Sequence, residues 1–371
     1  MHNKRKIFIG TSVHRWNDNR VFYKEAVSLA KHFDVELHAP ADFEKKQLEN
    51  VTIIGLPQWQ KESDRKAIRI KLWNRLKKSN ADVFIFHDPE LIWIGIKARI
   101  LFGKKVVYDV HENTVASIKR KKWLGSISKL IAISGYSIMQ WISRWIFDHF
   151  ILAEHSYKEV IKKKATVVLN YPVEKEWPRG DYEKIYDLVY LGDVTEDRGG
   201  VIIIDLIKKL TNNYPELKLA VVGKVEKNAQ MIIEEKIDKL KLRNHVFLFG
   251  HVNYPEAMEI VYQSKIGLCL LKPIENYVYS YPTKLFDYMQ AGVPFVCSNF
   301  LLYEKLVNEC EAGVTVNPLD VEAVANKISN LFIDSVMYDR LSQNGINALK
   351  KYYNWISQEK KLIEVINSIL S

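Results

Sequence analysis

The sequence predicts an α/β fold built from two doubly wound parallel sheets. Short apolar runs such as 83–86, 105–110 and 186–191 each lead into a polar loop and then a helical pattern. This alternation is typical of parallel sheets with helices on both faces. The length of 371 residues exceeds that of most single hydrophobic cores, so two domains of similar size are expected.

The composition is that of a globular protein with a basic surface. Hydrophobic residues make up 47% of the chain and charged residues 26%, so disorder is not expected. The net charge of +10 favours an anionic partner such as a nucleic acid, a membrane surface or a phosphorylated substrate. Because the sequence has no recognisable nucleic-acid-binding signature, nucleic acid is not expected among the partners.

The cysteines and the first residues predict a cytoplasmic protein. Cys269, Cys297 and Cys310 have neither a paired framework nor metal-site spacing, so we expect reduced thiols in the core. A basic start leads into an apolar run that is too short for a signal peptide, and this run predicts a first strand at 6–10. No segment reaches the roughly 18 uninterrupted apolar residues of a membrane span.

A break in the pattern divides the chain. Asn170-Tyr171-Pro172 interrupts it, and a Pro-Arg-Gly triplet with a run of charges follows. We therefore predict a first domain at 1–169, a linker at 170–184 and a second domain at 185–354.

Polar side chains follow three strands of the first domain, where parallel sheets bind ligands. His14, Asp18 and Arg20 lie in the loop after the first strand, His87 follows the strand at 83–86, and His111 with Glu112 follows the strand at 105–110. Each also has a structural interpretation. Asn17 and Asp18 could hold a turn, Asp88 could cap the helix that Pro89 opens, and His111 could be a core histidine.

In the second domain, two segments predict a phosphate site. Gly199 and Gly200 precede a helix at 201–210, whose first N–H groups would be open to an anion. Pro282 at the first helical position and Gly292 just past the last bracket a second helix, with Thr283, Lys284 and Asp287 near its exposed first turns. A lysine there is unfavourable unless an anion is bound, although an incidental lysine on a capped surface helix would give the same pattern.

The segment Tyr-Pro-Thr-Lys-Leu-Phe-Asp-Tyr-Met-Gln-Ala-Gly-Val-Pro at 281–294 resembles the donor-binding signature of glycosyltransferase family 4. Tyr-Asp-Val-His-Glu at 108–112 and Ser-Val-His-x-x-x-Asp-x-Arg at 12–20 are similar to further motifs of that family. The resemblance implies the GT-B fold, in which two Rossmann-like domains face each other across a cleft. It also implies that the last helix, within 355–371, packs back onto the first domain.

The resemblance also implies roles for individual residues. Asp287 would bind the nucleotide ribose, Arg198 beside Gly192 and Gly199 would hold the diphosphate, and Tyr254 would lie near the base. Tyr279 stands where the family has a glutamate, and Asp193 stands where many members have an arginine. Both departures weaken expected donor contacts, and Lys284 would compensate for the second.

For the first domain, the resemblance places His111 near the donor sugar and the acceptor. Glu112 would orient this histidine or contact the acceptor hydroxyl. His14, Asp18, Arg20 and His87 would line the acceptor side.

The activity implied is that of a retaining hexosyltransferase in glycan or polysaccharide biosynthesis. It would move a sugar from a nucleotide diphosphate, UDP before GDP, to a saccharide or lipid-linked acceptor, without a metal or another cofactor. Two alternatives remain open: a nucleotide-sugar epimerase of the same fold, and a scaffold subunit that binds the sugar nucleotide with little catalysis.

The stretch 119–150 has two interpretations. Lys119-Arg120-Lys121-Lys122 precedes a segment rich in Ile, Ser and Trp, in which Trp141 and Trp145 share one helical face. Basic residues beside exposed tryptophans would suit an anionic membrane surface, at the inner face of the cell membrane. A helix pair packed on the sheet would show the same periodicity.

Overall fold

The computed structural model describes residues 4–111, 114–120, 124–173 and 182–371. The chain divides into two compact units, Met1–Val173 with Trp355–Ser371, and Glu174–Asn354. The predicted linker 170–184 spans the boundary between them, and its residues 174–181 lie outside the described residues.

The first unit is built on an eight-stranded sheet with the order β3-β4-β2-β1-β5-β6-β7-β8. All neighbouring strands are parallel except the antiparallel pair of β3 and β4. The strands are β1 Lys6–Gly10, β2 Asp34–Pro40, β3 Lys45–Leu48, β4 Val51–Leu56, β5 Val83–Phe86, β6 Lys105–Val110, β7 His149–Leu152 and β8 Ala165–Val167.

Helices connect these strands. A π-helical segment, Asn19–Ala26, continues into the α-helix α1, and short 3₁₀ turns precede α2 and α3. The helices are α1 Val27–Ala30, α2 Arg65–Lys78, α3 Ile92–Phe102, α4 Thr114–Arg120, α5 Ser126–Ile146 and α6 Tyr157–Val160. Among the residues that the structure describes, no helix is both long enough and apolar enough to cross a bilayer.

The second unit repeats this design with a parallel six-stranded sheet of order β11-β10-β9-β12-β13-β14. Its strands are β9 Tyr186–Leu191, β10 Leu219–Val222, β11 Val246–Gly250, β12 Ser264–Cys269, β13 Phe295–Ser298 and β14 Gly313–Val316. Its helices are α7 Gly200–Leu210, α8 Lys227–Lys239, α9 Tyr254–Tyr262, α10 Glu275–Val278, α11 Thr283–Ala291, α12 Leu301–Cys310, α13 Val321–Ile333 and α14 Ser335–Lys351.

The final helix, α15 (Trp355–Leu370), belongs to the first unit. Its apolar face, with Leu362 and Ile366 fully buried, completes the core around β1 and β2. Trp355 anchors its start, since the indole Nε1 donates to Ser28 Oγ at 2.8 Å. Each of these apolar side chains stabilises the fold by about 1.5–3 kcal/mol when fully buried.

Two parallel-sheet α/β units confirm the predicted fold class. The three cysteines are reduced and buried, as the sequence predicted.

Candidate active site

A glycine-rich loop follows β9 in the second unit. Gly192 and Gly199 both adopt positive φ angles, of 105° and 84°, which glycine adopts without steric cost. A Cβ atom added to Gly199 would lie 2.1 Å from the carbonyl oxygen of Leu270, so the close packing of this loop also requires glycine. The loop leads into α7, whose first N–H groups have no partner within the helix.

Helix α11 carries the conspicuous polar motif of the sequence. It begins at Thr283, with Pro282 as the N-cap rather than as the predicted first helical residue, and ends at Gly292 with φ of 63°. Thr283 is exposed, but Lys284 and Asp287 are buried, so the prediction that both lie on exposed first turns is wrong. Local spacing places these residues on the helix, whereas their burial depends on how α11 packs against the sheet.

The Lys284 ammonium is the most unusual group of this unit. Nζ lies 3.6 Å from the centroid of the Tyr190 ring, and it is buried without a hydrogen-bond partner among the described residues. Burial lowers the pKa of Lys284 to about 8, and the positive charge of Arg198 acts in the same direction. Because a buried charge without a hydrogen-bond partner is costly, this position favours a bound anion.

Arg198 supplies a second cation beside the same loop. Its Nε donates to the Tyr277 hydroxyl at 3.3 Å, and its Nη1 lies 3.9 Å from Asp193 Oδ2. Partial burial lowers the pKa of Arg198, but Tyr277, Tyr190 and Asp193 together outweigh this effect, so the pKa is raised. The guanidinium therefore stays charged, and the structure brings Gly192, Gly199, Arg198 and Lys284 together.

Asp287 and Tyr254 form a pair that the sequence does not reveal. The Tyr254 hydroxyl donates to Asp287 Oδ1 at 2.7 Å. Burial raises the pKa of Tyr254, and the negative charge of Asp287 raises it further. Tyr254 thus orients this carboxylate. Tyr279, in contrast, is largely exposed.

In the first unit, the ends of three adjacent strands collect histidines. β1, β5 and β6 are neighbours in the sheet, and His14, His87 and His111 follow them. The His111 ring centroid lies 4.8 Å from that of His14 and 5.3 Å from that of His87. The structure therefore places these three predicted site residues in one cluster.

His111 Nε2 is buried and has no hydrogen-bond partner among the described residues. Burial lowers the pKa of His111 to about 3, although the charge of Asp109 opposes this effect. The imidazole is therefore neutral at pH 7. Glu112, predicted as its partner, lies outside the described residues.

His14 contacts two acids. Its Nδ1 lies 3.2 Å from Asp18 Oδ2, and its Nε2 lies 3.5 Å from Asp88 Oδ1. Burial raises the pKa of Asp18, but His14 and the backbone N–H groups of Val21 and Arg20 together outweigh this effect and lower the pKa. Asp18 also caps the following helix, where its Oδ1 accepts from the backbone N–H groups of Arg20 and Val21.

Asp88 has a different role from the predicted helix cap. It stands at the N-cap position, but its side chain makes no capping bond. Instead, Asp88 Oδ2 accepts from Thr11 Oγ1 at 2.8 Å and from the Ser12 N–H at 2.6 Å. The carboxylate therefore ties the loop after β1 to the end of β5.

Arg20 and His87, which the sequence predicts on the acceptor side of the cleft, lie in a buried ion network. Arg20 Nε and Nη2 donate to Asp109 at 2.7 and 2.9 Å, and Nε lies 2.9 Å from Glu25 Oε1. His87 Nε2 lies 2.8 Å from Glu25 Oε2. Sequence reasoning missed Glu25 and Asp109, because neither follows a strand end.

This network could in principle hold a metal, because ligand atoms of Glu25, His87 and Asp109 lie within 4.8 Å of one another. However, the Arg20 guanidinium already contacts both carboxylates and compensates their charge. Burial and the charge of Asp109 raise the pKa of Glu25 to about 7. The arrangement thus fits an internal ion network better than a metal site, and metal independence of the reaction stays a prediction.

Comparison with known proteins relates the second unit to glycosyl transferases. Residues 174–348 match the family model of glycosyl transferases group 1, and this segment covers nearly all of the second unit. The donor-side residues Gly192, Arg198, Lys284 and Asp287 all lie within it.

Similar proteins and structures agree with this match. An uncharacterized glycosyltransferase of Methanocaldococcus jannaschii is 33% identical over 92 residues, which span 25% of this chain and 22% of that protein. Sucrose-phosphate synthase from Thermosynechococcus elongatus has a TM-score of 0.74 at 15% identity and 99% coverage of both chains. Anabaena HepE in complex with UDP-glucose has a TM-score of 0.73 at 13% identity, covering 98% of this chain and 100% of that chain.

The solved structures establish a GT-B fold. The family match over residues 174–348 supports a glycosyltransferase enzyme.

Proposed function

We propose that the protein is a retaining family 4 hexosyltransferase that uses a nucleotide diphosphate sugar as donor. The observation that carries this proposal is the buried Lys284 ammonium, which has no hydrogen-bond partner among the described residues and lies beside the glycine-rich loop. A diphosphate would supply the missing anionic partner. The start of α7 and the charge of Arg198 favour the same ligand.

Catalysis would rest on stabilising the leaving group. As the bond between the sugar and the diphosphate breaks, negative charge grows on the phosphate oxygens. Lys284 and Arg198 would bind these oxygens more strongly in the transition state than in the ground state, which is the requirement for rate acceleration. No step assigned to these residues needs a metal ion.

Asp287 would hold the nucleoside part of the donor. The hydrogen bond from Tyr254 fixes its carboxylate, which could accept hydrogen bonds from the ribose hydroxyls. The Anabaena structure contains UDP-glucose, so UDP-glucose is the first donor to test and UDP the first product.

His111 would form a hydrogen bond to the donor sugar or to the acceptor. Its neutral imidazole can donate a hydrogen bond to a sugar hydroxyl or accept one from it, and His14 lies next to His111. The acceptor that we propose is a saccharide or lipid-linked hydroxyl.

Calorimetric titration with UDP, GDP, ADP and uridine, in magnesium and in EDTA, tests the donor site. We expect magnesium-independent binding of one diphosphate. Lys284→Met and Arg198→Gln should weaken diphosphate binding by about tenfold or more, in line with the loss of a charge-assisted hydrogen bond, and leave uridine binding nearly unchanged. Lys327→Met, which changes an exposed lysine of the same unit, should have no effect.

Equal losses for diphosphate and uridine would contradict the phosphate role. A separate assay for transfer from UDP-glucose then distinguishes the alternatives. Donor binding without transfer to any acceptor would favour the scaffold subunit, and interconversion of the donor sugar without an acceptor would favour the epimerase.

A further inference from the structure

Helix α5 exposes an apolar face that the donor site does not explain. Its exposed large apolar side chains recur at intervals of three, four and seven residues and so lie on one side of the helix. We call this set the apolar face of α5: Ile127, Leu130, Ile131, Ile138, Trp141 and Trp145. Ile127 is 77% exposed and Trp145 is 69% exposed, so the tryptophans do not pack into the core.

No charged residue of α5 interrupts this face, and Lys163 Nζ lies 6.0 Å from the centroid of the Trp145 ring at its end. Over Ser126–Ile146 the only charged residues are Lys129 and Arg144, and both lie on other sides of the helix. Lys129 Nζ donates back to the carbonyl oxygen of Lys119 at 2.8 Å, and Arg144 Nε is buried. From Ile127 to Trp145 this face spans 19 positions of the helix, or about 27 Å, without a charged residue of α5. Such a face is unusual for a surface in contact with water alone.

The neighbouring helix α3 extends the apolar surface. It packs against α5 and exposes Trp93, Ile100, Leu101 and Phe102. Lys97 Nζ lies 5.5 Å from the centroid of the Trp93 ring. Apolar side chains and the amphipathic Lys97 side chain are thus mixed on this helix.

Basic residues border this surface. Helix α2, which packs against α3, has seven basic residues and no acidic one in the sequence RKAIRIKLWNRLKK. Its Trp73 ring lies 5.5 Å from the Phe102 ring of α3, so the basic helix adjoins the apolar surface. In the sequence, Lys119-Arg120-Lys121-Lys122 also ends three residues before the segment that forms α5.

We propose that the apolar face of α5 docks on an anionic lipid bilayer. The apolar side chains would enter the boundary between headgroups and acyl chains, where tryptophan is favoured. The four exposed lysines of α2 would bind the anionic headgroups, each contributing about 1 kcal/mol near the surface. The arginines of α2 already contact Glu90 or the Gly55 carbonyl. A second copy fits less well, because two such surfaces would bring two basic helices together.

Sedimentation with lipid vesicles tests this proposal. The wild-type protein should bind vesicles of phosphatidylglycerol and phosphatidylcholine, and bind pure phosphatidylcholine much less. Changing Ile127, Leu130, Trp141 and Trp145 together to Ser should lower the partition coefficient by about tenfold or more. A control variant changes Leu301, Ile333 and Val336 to Ser. These three apolar residues of the second unit are at least as exposed as those of α5, and the variant should retain vesicle binding.

Fluorescence adds a local readout. Brominated acyl chains should quench the tryptophan fluorescence of the wild-type protein, and Trp141→Phe with Trp145→Phe should reduce that quenching while binding persists. Vesicle binding that persists in the Ser variant, or quenching that is unchanged in the Phe variant, would overturn the proposal.

Sedimentation equilibrium tests the alternative that a second copy of the protein covers the apolar face of α5. If the wild-type protein does not bind vesicles but forms a dimer that the Ser variant cannot form, then the apolar face is an interface between copies and the proposal fails. UDP binding by the Ser variant should equal that of the wild type, because α5 contains none of the proposed donor residues. Loss of vesicle binding and loss of UDP binding are therefore separable results.

Discussion

At the scale of single residues, the buried state of Lys284 determines how the proposed donor site responds to pH. The pKa of about 8 means that the free lysine loses its charge within an accessible range. Diphosphate binding should therefore decrease by about tenfold between pH 7 and pH 9, since binding requires the charged form. Calorimetric titration of UDP from pH 7 to pH 9.5 measures this decrease.

Lys284→Met should flatten the pH dependence as well as weaken binding. Arg198→Gln offers a control, because arginine stays charged throughout the range. This variant should keep the pH response of Lys284 but move it to higher pH, since the loss of a neighbouring positive charge raises the pKa of Lys284. Parallel pH curves for the wild type and Lys284→Met would show that another group causes the decrease.

The residues differ in how far the sequence could predict them. Lys284 stands out by local spacing, because proline and glycine mark the ends of its helix. Its burial could not be predicted, since that depends on contacts with Tyr190, far away along the chain. Arg20 pairs with Asp109 across 89 residues, and no local pattern reports such a distance.

At the scale of elements, the turn between β9 and α7 depends on Gly199. Its φ of 84° disfavours other residues, and an added Cβ would clash with the Leu270 carbonyl at 2.1 Å. Gly199→Ala should destabilise the protein by about 1–3 kcal/mol and displace the start of α7, so that UDP binding falls. Denaturant unfolding and UDP titration on the same sample measure both effects.

Gly103→Ala is the matched control, because Gly103 also has a positive φ, of 63°, but no atom lies within 4 Å of its added Cβ. It should cost stability through backbone strain alone and leave UDP binding intact. If both variants bind UDP like the wild type, then the shape of the Gly199 turn is not required for the donor.

The buried strands of both sheets can be predicted well from the sequence, and the reason is physical. Strands of a buried parallel sheet are continuous apolar runs, and β5, β6 and β9 lie where those runs do. Less regular elements were missed. The π-helical segment Asn19–Ala26 and the polar edge strand β3 have no distinctive pattern in the sequence.

At the scale of the whole molecule, each unit has its own hydrophobic core, and the buried ion network belongs to the first unit alone. The pKa of Glu25 is raised to about 7 and that of His87 is raised as well. Between about pH 5 and pH 7, the folded state therefore binds more protons at these groups than the unfolded state does. Their contribution to stability is present at low pH and is lost as the pH rises.

Glu25→Gln should remove the share of that pH dependence that belongs to Glu25. Relative to the wild type, the variant should therefore gain stability as the pH rises from 5 to 7.5. The change should exceed about 1 kcal/mol, because one pKa unit corresponds to about 1.4 kcal/mol. Hydrogen exchange resolves where the change occurs, because peptides from β1, β5 and β6 report on the first unit and peptides from β9 and β12 serve as the internal control. A relative stability that is constant with pH, or a change confined to the control peptides, would show that Glu25 ionises in the folded protein as it does in the unfolded chain.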